Sequence, residues 1–497
     1  MTKPKQYQYF SKTRLLSAYV CLKKAYLEKH RPELKVVSAK TQTSFDIGNA
    51  VGAIAQDIYG TEGSIEIPFE RPMSKMVKDT AKLIASGFRE PIFEATFQHQ
   101  GVLVRVDALI PDGDGWRAVE VKASGSVKPE HHVDCAAQLW VMRGVGIQVN
   151  SIALGHIDTS FVYQGDGDYS GLIKEEDLTE IATAMEPDIL DLLANATVAV
   201  SGEMPEVPVG RKCTDPYECA FRNFCWPMDG EFPTSTIGGN KDKIIEWVNR
   251  GITDVRNIPA SEITAERQQM VHRVASAGEP DITPGAYAEI EARGHPRYHL
   301  DFETANPAIP LWKGSRPYQI HAVQFSVHVD DGKGDGSFED MPHFEFLDLS
   351  GDAPMRPLAE KLIEVLGDSG PVMMVSHYEK TTINGLIKLF PDLEPQLKAI
   401  INRLFDIQKV VKNYYYHPKM LGSYSLKAVA PLMSSKIDYK KLEGISEGGA
   451  AAAGYVEAVN PETTPEEKAR IEAELLKYCR VDTEAMAEIV KYFKDLP

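Results

Sequence analysis

Two carboxylates stand two residues apart in YHLDFETANPAIPLWK (298–313), Asp301 and Glu303. On a strand, alternate side chains share a face, so both point the same way. Two like charges in a half-buried place repel each other and resist desolvation. A cation between them resolves the conflict. The plainer alternative is that the strand ends at Leu300 and both carboxylates are solvated. A second acidic set surrounds a hairpin, with Asp107 in GVLVRVDALI and Glu120 and Lys122 in WRAVEVKA, separated by the turn signal PDGDG. A turn centred near Gly113 sets Asp107 almost opposite Val119–Glu120. Cross-strand neighbours lie about 5 Å apart, close enough for the two carboxylates to share one divalent ion. Lys122, on the face of Glu120, is placed to neutralise a scissile phosphate or orient a water that the metal acidifies. Glu94 on the preceding strand is a further candidate ligand, and Gln138 in CAAQLWVM lies on the next helix. A surface hairpin with scattered salt bridges is the competing reading.

Sulfur supplies a third chemistry. Cys213, Cys219 and Cys225 follow a C-x5-C-x5-C pattern in RKCTDPYECAFRNFCWP, and Cys21 lies far upstream. The opening MTKPKQYQYFSK has no apolar signal region, so a cytoplasmic location is expected and clustered cysteines point to metal or redox chemistry rather than disulfides. Four thiolates suit a [4Fe–4S] cluster. Zinc also takes four, but prefers pairs spaced by two to four residues; free thiols are the remaining option. Cys135 and Cys479, on helices among apolar residues, read as small buried hydrophobes.

The elements needed to hold these groups are legible in outline. Helices are expected over 6–35, 45–58, 75–90, 130–143 and 176–196, with strands at PIFEATF, GVLVRVDALI and WRAVEVKA. The stretch 230–243 is rich in Gly, Ser, Thr and Pro and reads as a linker. Residues 242–293 read as a polar helical connector. From Arg297 onward strands and helices alternate, an α/β pattern. GGAAAAG (448–454) is the one low-complexity segment. The organisation expected is therefore 1–229, 230–296 and 297–497. The 497 residues carry a net charge of −17, which excludes a passive nucleic-acid coat, because phosphate binding needs a basic surface. No run reaches the roughly 18 apolar residues of a membrane span, so no membrane partner is expected.

The ordered set of Asp, turn, Glu-x-Lys and a Gln-bearing helix resembles the PD-(D/E)XK nucleases of the RecB type. One remote cysteine plus a downstream trio around such a core resembles their iron–sulfur branch. That resemblance implies a restriction-endonuclease-type core whose ends are stapled by a [4Fe–4S] cluster on Cys21, Cys213, Cys219 and Cys225. Gly52 stands where such nucleases often carry a metal-binding His, and Met142 where an aromatic is common. Downstream, ELLKYCRVDTEAM places Tyr478 and Asp482 four apart on one helix face. A Y-x3-D helix after a D-x-E strand resembles the DEDDy-type 3′–5′ exonucleases on an RNase H-like fold, of the YprB type. VMMVSHYEKTTINGL, with Glu379, sits where that superfamily has its second motif; RLFDIQKVV contributes Asp406. The resemblance implies that Asp301, Glu303 and Asp482, completed by Glu379 or Asp406, bind Mg2+ or Mn2+, and that Tyr478 orients the attacking water. The chain as a whole resembles an uncharacterised bacterial family joining the two halves. The function implied is a metal-dependent nuclease acting on DNA in preference to RNA, in repair or defence. A nucleic-acid-binding scaffold with an inactive RecB-like half, or an RNA-trimming exonuclease, are the alternatives.

Overall fold

Apolar residues alternate with polar ones along two separate sets of strands, and the chain divides into two units to match. The first is Met1–Cys225 with Ala308–Tyr318, the second Trp226–Pro307 with Gln319–Pro497. The structure, a computed structural model, describes residues 9–36, 39–215, 217–226, 230–442 and 444–497. The first residues of the helix expected over 6–35 therefore lie outside it.

In the first unit a short strand β1 (Phe10–Ser11) leads into α1 (Lys12–Val20), where the Ser11 hydroxyl accepts from the Arg14 N–H as N-cap. The expected single helix breaks at Cys21, whose extended backbone (φ −164°, ψ 120°) separates α1 from α2 (Leu22–His30). After α3 (Ala39–Tyr59), β2 (Ile65–Glu66) and α4 (Ser74–Ala85) come three antiparallel strands, β3 (Ile92–His99), β4 (Val102–Asp112) and β5 (Gly115–Lys122). The two-residue turn between β4 and β5 holds Gly113 at φ +57°, a conformation that favours glycine. Helix α5 (Pro129–Gly144) crosses over to β6 (Val149–Ile157), parallel to β5; β7 (Ile173–Asp177) is antiparallel to β6. The path is β2-β3-β4-β5-β6-β7, with β1 against β4. Val133, Ala137, Leu139 and Val141 of α5 bury against Val104, Val106, Ile152 and Leu154 of the sheet, which anchors this helix under the hairpin. The single helix expected over 176–196 is instead the end of β7, then α6 (Thr179–Ala184) and α7 (Glu186–Ser201). A one-turn helix α8 (Arg222–Cys225) ends the cysteine loop.

The second unit begins with α9 (Lys241–Asn249), α10 (Glu266–Ala277), β8 (Asp281–Ile282) and α11 (Ala286–Glu291), so helix already starts at the end of the expected 230–243 linker. Its five-stranded sheet is ordered β11-β10-β9-β12-β13. β9 (Arg297–Ala305), β10 (His321–Asp330) and β11 (His343–Leu347) form an antiparallel meander. β12 (Val372–Met374) and β13 (Leu404–Asp406) run parallel to β9, reached through α12 (Met355–Leu366) and then α13 (Tyr378–Leu389) with α14 (Glu394–Ile401). There follow α15 (Ile407–Tyr414), β14 (Tyr415–Tyr416), α16 (Leu426–Met433), α17 (Gly448–Ala458) and α18 (Pro465–Asp495). Thr464 caps α18, Pro465 opens it, and Glu466 and Glu467 sit in its first turn, all three favourable there. The low-complexity GGAAAAG forms α17, packed on α18 and β9. The protein is thus mixed α/β, and no helix among the described residues is long and apolar enough to cross a membrane.

Candidate functional site

β9 continues to Ala305, so Asp301 and Glu303 are strand residues and the reading in which the strand stops at Leu300 falls. They pair in register with Ser326 and Gln324 of β10. Glu303 is buried and Asp301 half-buried. Against this face α18 brings Tyr478, Cys479 and Asp482, all buried. The ligand atoms of Asp301, Glu303 and Cys479 lie within 4.8 Å of one another, the one such group of three metal-ligating side chains among the described residues. The Cys479 thiol reaches 3.6 Å from Asp301 Oδ2. Tyr439 donates its hydroxyl to Asp482 Oδ1 at 2.5 Å. Lys427 on α16 lies 4.8 Å from the Tyr478 ring centre and 5.8 Å from that of Tyr439. In the first turn of α13, Glu379 is only 3% exposed, and its Oε2 has no hydrogen-bond partner among the described residues. Asp406 caps α15, accepting from the Lys409 N–H at 3.3 Å.

Electrostatics follow from this crowding. Burial, then Asp482, Glu303 and Glu379, raises the Asp301 carboxyl well above the usual carboxylate range. Glu303 rises likewise through burial and Asp482, with Lys427 pulling it back. Burial pushes Glu379 up to about 8, helped by Asp406 and Asp482 and opposed by backbone hydrogen bonds. Asp482 rises to about 6 by burial, restrained by Tyr439, Lys427 and Tyr478. The Tyr478 hydroxyl is raised by burial and the neighbouring carboxylates, so it stays a proton donor at neutral pH. One lysine faces several carboxylates. Such a site takes up either protons or a divalent cation, and oxygen-rich donor sets suit Mg2+ and Mn2+.

In the first unit, Ala108 pairs with Val119, so Asp107 falls opposite Glu120, as the turn predicted. The β3–β4 register (Phe93 with Ala108, Ala95 with Val106) puts Glu94, at φ +58°, opposite Asp107 from the other side. Glu94 is tied to Arg105 at 3.0 Å. Glu120, 1% exposed, is already occupied by cations: Lys12 Nζ lies 2.7 Å from its Oε1, and Lys122 bonds the same oxygen. Lys12 and Lys122 also hold Asp134, at 3.1 and 2.9 Å. Gln138 donates to Glu120 Oε2 at 2.6 Å and to Asp134 Oδ1 at 3.0 Å. Burial opposes charge on both lysines, yet the carboxylates outweigh it and hold them protonated. The same pairing depresses Asp134 below the usual range despite its burial. Asp107 rises to about 7 through burial and Glu120, held back by Lys12, Lys122 and the hydrogen bond it accepts from the Val121 N–H. Lys12 and Asp134 are the residues that sequence reasoning missed. Asp134 lies four before Gln138 on α5, a spacing that could have flagged it.

Cys21, Cys213, Cys219 and Cys225 form no disulfide among the described residues. Burial raises Cys219 and Cys225, and proximity to the other sulfurs adds to it: Cys213 and Cys21 act on Cys219, and Cys219, Cys21 and Cys213 on Cys225. Cys21 therefore meets the trio across nearly two hundred residues, aided by the helix break at its own position. The Cys219 N–H donates to the Cys213 carbonyl at 2.9 Å, and Lys24 and Lys23 lie near the sulfurs.

A family model described as a domain of unknown function, DUF2779, matches residues 298–425. The match holds Asp301, Glu303, Glu379 and Asp406, and is shorter than the near-complete resemblance the sequence motifs led one to expect. No curated protein matches the chain. A solved structure titled "Crystal structure of SSO0001" is 17% identical, covers 45% of this chain and 89% of its own, and has a TM-score of 0.25.

Proposed function

We propose that the second unit is a divalent-metal-dependent phosphodiesterase, a nuclease removing nucleotides from DNA ends, centred on Asp301, Glu303 and Asp482. One observation carries this reading: buried carboxylates converge from β9, α13 and α18, raising one another, with Lys427 offsetting Glu303 and Asp482, a charge deficit that a bound cation would fill. The unpartnered Glu379 oxygen fits the same cation. Strand order supports it too, since a meander of three antiparallel strands followed by two parallel ones is the RNase H-like arrangement. A divalent metal held by Asp301, Glu303 and Asp482 would supply acidification of a water and charge stabilisation at the phosphate. The chain's own groups do the rest. Tyr439 holds Asp482 in its ligating orientation. The Tyr478 hydroxyl, kept protonated, donates to the attacking water or a phosphate oxygen, and Lys427 offsets charge as the carboxylates ionise.

For the first unit, the observed ion pairs favour a second role. The Lys12 ammonium sits between Glu120 and Asp134, beside the place where a metal would bridge Asp107 and Glu120. That favours a nucleic-acid-binding platform over a second active centre. Its staple would be a [4Fe–4S] cluster on Cys21, Cys213, Cys219 and Cys225. Zinc sites favour cysteine pairs spaced by two to four residues, whereas Cys213, Cys219 and Cys225 are spaced by five.

The test is purified protein with Mn2+ and end-labelled single-stranded DNA, duplex DNA and RNA. Cleavage abolished by Asp301→Ala and retained by Lys122→Ala fits this assignment. Cleavage lost only with Lys122→Ala assigns the chemistry to the hairpin instead, and preferential shortening of RNA replaces the DNA substrate.

A further inference from the structure

We infer that Cys479 is itself a metal ligand, making the second-unit centre a mixed sulfur–oxygen site that prefers a softer divalent ion such as Co2+ or Zn2+ over Mg2+. The inference rests on the metal-centre reading above and specifies which metal the centre selects. Three observations carry it. The Cys479 sulfur shares a 4.8 Å sphere with ligand oxygens of Asp301 and Glu303, whereas Asp482 lies outside that group. It stands three residues before Asp482 on α18, on the stripe that faces β9, so the helix turns the thiol and that carboxylate toward the same side. And Glu379, 3% exposed, keeps a carboxylate oxygen without a partner, so this acidic pocket holds an unfilled bonding demand beyond its internal hydrogen bonds.

A thiol beside Asp301 already donates to Oδ2 at 3.6 Å. On coordination the sulfur–hydrogen bond breaks, the proton passes to solvent and the sulfur lone pair goes to the metal. Thiolate selects softer ions and contributes little to Mg2+, which demands near-octahedral oxygen. A serine at this place would keep an all-oxygen site; cysteine changes which ion wins.

The experiment uses full-length protein loaded with Co2+, read as the difference spectrum against metal-free protein, with wild type, Cys479→Ser and Asp301→Ala compared. The four clustered cysteines are the same in all three and cancel. The expected result is a thiolate-to-cobalt charge-transfer band in wild type that Cys479→Ser loses while keeping its visible cobalt bands. In parallel, Cys479→Ser should weaken Cd2+ by roughly tenfold or more and leave Mg2+ affinity unchanged. Cys479→Ala repeats the comparison without a hydroxyl that could ligate in place of sulfur. Cobalt bands that depend on Asp301 but are identical in wild type and Cys479→Ser overturn the sulfur ligand and leave the metal centre standing. Cobalt and cadmium binding indifferent to Asp301→Ala overturns both.

Discussion

Glu379 gives the sharpest quantitative expectation. Its carboxyl is pushed from an ordinary 4.5 up to about 8 by burial and by Asp406 and Asp482. A folded-state value above the unfolded one means that the neutral form is favoured by folding. That contribution is fully present below about pH 4.5 and is lost as pH rises through about 8. At about 1.4 kcal/mol per pH unit, the span from 4.5 to about 8 is worth at most about 5 kcal/mol. Glu379→Gln removes the titration while keeping the shape. Metal-free wild type should therefore lose stability to urea between pH 5 and pH 9, read on the second-unit transition. The Gln variant should lose about 4 kcal/mol less over the same interval, because only the span from pH 5 to about 8 falls inside it, so the two curves diverge as pH rises. Saturating Mn2+ should flatten the wild-type dependence, because the ion takes the place of the protons. Equal slopes for wild type and Glu379→Gln would refute the reasoning, since the buried carboxylate would then be charged at no cost.

Three further expectations test the first unit. Lys12→Met leaves Glu120 and Asp134 short of a buried cation and should cost about 3–5 kcal/mol; Mn2+ should restore part of it, if a divalent ion takes the ammonium's place, and differential scanning calorimetry reads both. Cys219→Ala should bleach the visible absorbance of protein purified anaerobically and lower the first-unit melting temperature, whereas colourless wild type with stoichiometric zinc contradicts the cluster. Asp107, up to about 7, should take up a proton on acidification from pH 8 to pH 6, visible as a carboxyl band in infrared difference spectra that Asp107→Asn lacks.

Much of this was legible because it is local. The alternation DFE predicts a shared face, and β9 carries Asp301 and Glu303 on one. PDGDG predicts a tight turn, and a two-residue connection at Gly113 then sets Asp107 against Glu120 by counting. What stayed hidden is tertiary. Lys12 meets Glu120 across 108 positions, and nothing in SKTRLL marks that lysine as the partner of a distant carboxylate. Tyr439, in the irregular SKIDYKKLEG, reaches Asp482 only because α18 passes beside it. Helical periodicity runs through Cys21 without interruption, yet the chain breaks there. Cys479 read as core because its helix neighbours are apolar. It is fully buried, but the wall it faces is a pair of carboxylates.

Thermal melts of wild type and Asp301→Ala, each with and without Mn2+, test the central claim most directly. Two or three carboxylates crowded without a cation repel, so removing one should leave metal-free stability equal or higher. Mn2+ should raise the wild-type melting temperature and do much less for the variant, because only the native fold assembles the site. An Asp301→Ala protein that melts well below metal-free wild type, with no metal response in either, would make these carboxylates structural and contradict the account.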